Sequence, residues 1–134
     1  MPKYSCELFG QIIYAPEISY DDLLPLEEAL MALATETLED QGAQFIHFES
    51  EGDRTFFQCI FREFGEDRFS SLARKLAPQA DGRIEWKLFF VDKELGGALF
   101  YGIEKGKIKA NKVTLPAAGP IDTALLAEKK EQEK

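Results

Sequence analysis

The spacing of apolar residues along this chain switches from about two to about 3.6 and back, twice over, and then stays at two. Between Tyr4 and Tyr14, Tyr4, Cys6, Leu8, Gly10, Ile12 and Tyr14 fall on one side, while Ser5, Glu7, Phe9, Gln11 and Ile13 fall on the other, which is the pattern of a strand. Pro16 ends that run, and the Ser19-Tyr20-Asp21-Asp22 cluster supplies capping side chains. Leu23, Leu26, Leu30, Leu33, Ala34, Thr37 and Leu38 then recur at helical spacing, predicting a helix from about Asp22 to Asp40 with Pro25 in its first turn and Gly42 as its stop. Gln44 to Ser50 and Arg54 to Phe64 alternate again around the hairpin signal Glu51-Gly52-Asp53. A second helix follows over Gly65 to Ala77, with Phe69, Leu72, Ala73 and Leu76 on one stripe and Pro78 after it. A fourth strand is expected over Arg83 to Val91, and turns at Gly96-Gly97 and Glu104-Lys105-Gly106-Lys107 bound two more, Ala98 to Ile103 and Ile108 to Val113.

Strand, helix, strand, strand, helix, strand is the order of a ferredoxin-like α+β sandwich. The fold expected is therefore βαββαβ with an additional C-terminal hairpin and a mainly antiparallel sheet. Residues 1–115 form one domain in this reading. Pro116-Ala117-Ala118-Gly119-Pro120 opens a linker, and the rest of 116–134 is a charged, weakly helical or disordered tail anchored only by Ile121, Leu125 and Leu126. With 134 residues and eleven Phe, the chain has enough large apolar side chains for one core.

Several function classes are disfavoured at this level. The longest apolar runs, such as Leu88-Phe89-Phe90-Val91, are too short to span a bilayer, and no basic stretch leads into an apolar run after Met1. A cytoplasmic location with no membrane contact is therefore expected. Cys6 and Cys59 lie on the apolar sides of their strands without CxxC spacing, as buried thiols do. The carboxylates of Glu49, Glu51 and Asp53 surround a turn, but Ile60 stands where a calcium loop needs its closing Glu. No phosphate loop, activated nucleophile or metal motif is present, so neither a metal nor a cofactor is expected.

Charge is unevenly placed. The net of −8 divides into −11 over residues 1–53, where Lys3 is the only base, and +3 over residues 54–134. An acidic chain repels phosphates, which disfavours nucleic acid, and the segment Arg54-Thr55-Phe56-Phe57-Gln58-Cys59-Ile60-Phe61 lacks the Gly-bearing aromatic pattern of an RNA-recognition motif.

Two surfaces remain as candidates. The first is the acidic side of the first helix, with Asp21, Asp22, Glu27, Glu28, Glu36, Glu39 and Asp40, which suits a basic protein partner. The second is the sheet face opposite the helices, where alternation places Phe9, Phe45, His47, Arg54, Phe56, Arg62 and Phe89. That face is expected to be covered by the C-terminal hairpin, by a second copy in a homodimer, or by another molecule. The reading favoured is a non-enzymatic protein-interaction module of inhibitory or regulatory type. The alternative is a dimeric α+β barrel, a small-molecule-binding protein or enzyme with a cavity between its sheets and His47 or Arg62 orienting a ligand. His47 has no second positioned group in the sequence, so no catalytic residue is assigned.

Overall fold

The computed structural model describes residues 5–63, 65–94 and 96–114, and the linker and tail over 116–134 lie outside them. Over these described residues the chain is α+β, with two helices on one side of a six-stranded antiparallel sheet. In order along the chain the elements are β1 (Cys6–Tyr14), α1 (Tyr20–Asp40), β2 (Gln44–Glu51), β3 (Arg54–Phe61), α2 (Glu66–Leu76), a short 3₁₀ turn (Ala77–Gln79), β4 (Ile84–Asp92), β5 (Gly97–Glu104) and β6 (Lys107–Thr114). The sheet order is β2-β3-β1-β4-β5-β6, so the last hairpin lengthens the sheet beyond β4 and does not fold across it. None of the described helices is long and apolar enough to cross a membrane.

Alternation in β1 carries directly into burial. Cys6, Leu8, Ile12 and Tyr14 are buried under the helices, and so are Phe57, Cys59 and Phe61 of β3 and Ile84, Trp86, Leu88 and Phe90 of β4. Leu30, Ala34 and Leu38 of α1 and Phe69, Leu72, Ala73 and Leu76 of α2 close the core from above. Phe69 stacks on Phe90 with ring centroids 3.8 Å apart, and Phe61 and Tyr101 pack around the pair. Opposite Phe57 on β1 stands Gly10, whose missing side chain lets the Phe57 ring lie flat on the sheet; a Cβ there would fall within the ring's own volume.

A chain of hydroxyls enters this core. The Tyr14 hydroxyl and Thr55 Oγ1 lie 2.8 Å apart, Thr55 Oγ1 is 3.4 Å from Ser50 Oγ, and Ser50 donates onward to the Glu27 carboxylate. The chain ties β1, β3 and β2 to α1 and satisfies Thr55, which is fully buried. Trp86 Nε1 is buried, with no hydrogen-bond partner among the described residues.

Two local expectations are corrected. The N-cap of α1 is Ser19, whose Oγ accepts from the Asp22 amide, so the helix begins at Tyr20 and Pro25 falls in its second turn. Proline donates nothing to the Asp21 carbonyl one turn back; both residues are exposed, so water can serve that oxygen. In β2 the register slips between Gln44, opposite Ile60, and His47, opposite Gln58, so Phe45 and Ile46 together face one residue of β3. Phe45 takes the left-handed conformation at φ 56°, the signature of a bulge.

Cys6 and Cys59 are both buried and unbridged. Burial pushes each thiol up to about 12 from an ordinary value of 9.0, with Asp92 adding to the effect at Cys6 and the neighbouring Cys6 adding to it at Cys59. A raised thiol pKa gives stability that is whole below pH 9, where the unfolded chain's thiols are neutral too, and that is lost as pH climbs toward 12. The urea midpoint should therefore hold up to about pH 9 and fall above it, while a thiol reagent at neutral pH should label the folded chain far more slowly than the unfolded one. A midpoint that stays level into the alkaline range, or equal labelling rates, would contradict this burial.

Candidate binding face

Among the described residues nothing covers the side of the sheet away from the helices. Antiparallel pairing arranges its residues in rows that run across the strands. Phe9 of β1 stands opposite Phe89 of β4, and Phe89 stands opposite Phe100 of β5, so three rings occupy one row on adjacent strands. On the other side of Phe9 the row continues through Gln58 to His47. The neighbouring row holds Glu49, Phe56, Gln11, Lys87 and Gly102. Phe9 and Phe89 are 44% and 40% exposed, and Phe56 and Phe100 are half-buried. Together they floor an open trough of about 870 Å³ with Gln11, Gln58, His47, Glu49 and Lys87 around it.

Of the face residues expected from sequence, Phe9, His47, Phe56 and Phe89 line this trough. Arg54 stands at its edge on the same face, with Nη1 3.5 Å from Gln11 Oε1. Phe45 and Arg62 do not join them. The bulge takes Phe45 out of alternation and sets it beside Thr35, Glu39 and Phe48, toward α1. Arg62 lies past the end of β3 near Asp40, Gln44 and Arg68, and its carbonyl accepts from the Ser5 amide and hydroxyl. Phe100 and Lys87 were not among the site residues expected; alternation of Ala98, Phe100 and Gly102 against Leu99, Tyr101 and Ile103 was the available signal for the first.

Comparison with protein-family models gives no match, and comparison with curated protein sequences gives none. The chemistry of the face has therefore to be read from its own residues. His47 is exposed and pairs in register with Gln58. Among the described residues no carboxylate or hydroxyl is hydrogen-bonded to it, and Glu7, on a different row, lies 3.9 Å from Lys93. An aromatic floor with an amide-rich border is suited to burying another apolar surface and fixing its orientation.

The acidic side chains of α1 lie on the other side of the sheet. Asp22 is occupied at the N-cap, where its carboxylate accepts from Ser19 Oγ at 3.0 Å, and Asp21 beside it meets the positive end of the helix dipole. Glu27 is held by Ser50. Glu28, Glu36, Glu39 and Asp40 are exposed, and no base stands in the last turn. The two candidate surfaces are thus separate and cannot serve as one continuous patch.

Proposed function

We propose that the protein is a non-enzymatic binding module that engages another polypeptide through the helix-free face of its sheet. The observation that carries this reading is the row Phe9, Phe89 and Phe100, three rings side by side across adjacent strands with two of them more than a third exposed. Contiguous apolar surface of this kind marks a contact site more often than it marks a solvated one. The β2-β3-β1-β4 part of the sheet, with both helices on one side, supports the ferredoxin-like reading of the first six elements, in which the opposite face is the natural place for a partner. Two buried, unbridged cysteines suit a reducing compartment such as the cytoplasm.

The acidic helix is the competing surface, and one experiment separates the two. Tagged wild-type chain, a Phe9→Ser/Phe89→Ser variant and a Glu36→Lys/Glu39→Lys/Asp40→Lys variant are compared as baits in lysate of the cells that encode the protein. Retained polypeptides, including untagged copies of the chain itself, are quantified by mass spectrometry. A polypeptide held by the wild type should be lost at least about tenfold by the Phe variant and kept by the charge variant. Loss with the charge variant alone would move the function to α1, and equal retention by all three would remove the sheet face as a binding surface.

A further inference from the structure

We infer that the occupant of the open face is a second copy of this chain, stacked sheet on sheet about a two-fold axis that runs parallel to the strands between β1 and β4. This rests on the reading of that face as a binding surface and supplies its partner. The charge on the two ends of the sheet selects the partner and its orientation. The strand order puts β2 at one end and β6 at the other. On the open face β2 presents Glu49 and Glu51, and β6 presents Lys107 and Lys109. Among the described residues none of these four has a charged partner within the chain.

The registers place acid and base at matching heights. Glu49 is connected across the strands through Phe56, Gln11, Lys87 and Gly102 to Lys109, and Glu51 is connected in the same way to Lys107. A two-fold axis parallel to the strands reverses the strand order without changing height. It lays β2 over β6 of the second copy, β3 over β5 and β1 over β4. The carboxylates of Glu49 and Glu51 then face the lysines of the second copy's β6, and the same contact repeats at the other end, as an isologous interface requires. Arg54 comes over Glu104, and Phe56 stands over the recess left by Gly102. Phe9 meets Phe89 at the centre.

Stacked sheets are rotated by about 30° through their twist, so individual partners slide along the edges, but the acidic edge remains over the lysine edge. The other face-to-face arrangement, with the axis across the strands, puts β2 on β2 and β6 on β6. It also inverts height along the strands, so the carboxylates of β2 fall over the far end of the second copy's β2 and the lysines over the far end of its β6, and no β2 carboxylate meets a β6 lysine. Six strands about 4.8 Å apart and about 26 Å long offer roughly 600–750 Å² of plane per copy, close to the roughly 800 Å² per partner of a standard stable interface.

Sedimentation velocity of the full chain over a concentration series tests this, using Glu49→Lys/Glu51→Lys and Lys107→Glu/Lys109→Glu. All four positions are exposed, so the fold is expected to survive, and circular dichroism checks it. The wild type should sediment as a dimer, and each variant alone should dimerise at least about tenfold more weakly. In the first variant both edges are basic and in the second both are acidic, so an equimolar mixture should restore a 1:1 heterodimer. Wild type that stays monomeric at about 100 µM, variants that dimerise as well as wild type, or a mixture that stays monomeric would each overturn the second-copy assignment. If the wild type is monomeric while the Phe9→Ser/Phe89→Ser variant still loses a different polypeptide, the binding face stands and only the identity of its occupant falls. If neither self-association nor capture depends on the face, both readings fall together.

Discussion

Replacing Phe90 with Ala should cost the fold about 3–5 kcal/mol, the range for emptying a buried aromatic site. Phe90 is fully buried and lies parallel to Phe69 at 3.8 Å, with Phe61 at 6.0 Å and Tyr101 edge-on at 5.8 Å. These rings belong to β4, α2, β3 and β5, so one side chain couples four elements. Helix α2 has only 11 residues, too short to persist on packing-free propensity. Loss of its stacking partner should therefore loosen α2 before the rest of the chain. Urea unfolding of Phe90→Ala should show a lower midpoint, and amide exchange should rise first over residues 66–76. A shift worth under about 1 kcal/mol would mean that the cluster is less tightly packed than its ring distances imply.

The second large effect is expected at Gly10, where adding one methyl group should cost about 2–3 kcal/mol through overpacking. Gly10 is on the helix-facing side of β1, directly opposite Phe57, and its Cβ position is occupied by the Phe57 ring. The backbone can hardly yield, because Gly10 is bonded between β3 and β4 in the middle of the sheet. The Phe57 ring must move, disturbing its edge-on contact with Trp86 and its tilted contact with Phe48. A double-mutant cycle gives the cause. Gly10→Ala should be far less damaging in a Phe57→Leu background than in the wild type, since the clashing ring is gone. Equal costs in the two backgrounds would place the penalty elsewhere.

These two positions also mark what could be read from the sequence and what could not. The spacing of Cys6, Leu8 and Ile12, and of Ile84, Trp86, Leu88 and Phe90, was sufficient to place the core face because each strand keeps strict alternation. The same alternation put Phe9, Phe56 and Phe89 together on the opposite face. It failed in β2, where a bulge adds a residue with no glycine to announce it: Phe45 adopts a left-handed backbone that aromatic residues seldom take. It failed again at Arg62, since a period continues on paper after the strand has ended. The role of Gly10 depends on which residue stands opposite it, and pairing register is a property of two distant segments. The opposition of acid and lysine across the open face was hidden for a similar reason. The sequence divides into an acidic front and a basic remainder, but only the strand order converts that division into two ends of one surface.

The bulge in β2 has a consequence for how far this molecule can assemble. Among the described residues the six-stranded sheet ends in two edge strands, one carrying glutamates and the other lysines, and opposite charges at opposite ends would draw copies into an endless side-by-side ribbon. β6 pairs with β5 residue for residue from Lys107 to Thr114, so its outer edge is a regular template. The β2 edge is not, because Phe45 and Ile46 break its spacing and leave only the short stretch from His47 to Glu51 in straight register. An irregular edge of this kind opposes strand-to-strand growth at that end of the sheet. In the proposed dimer association falls instead to the faces, where a two-fold axis closes after two copies.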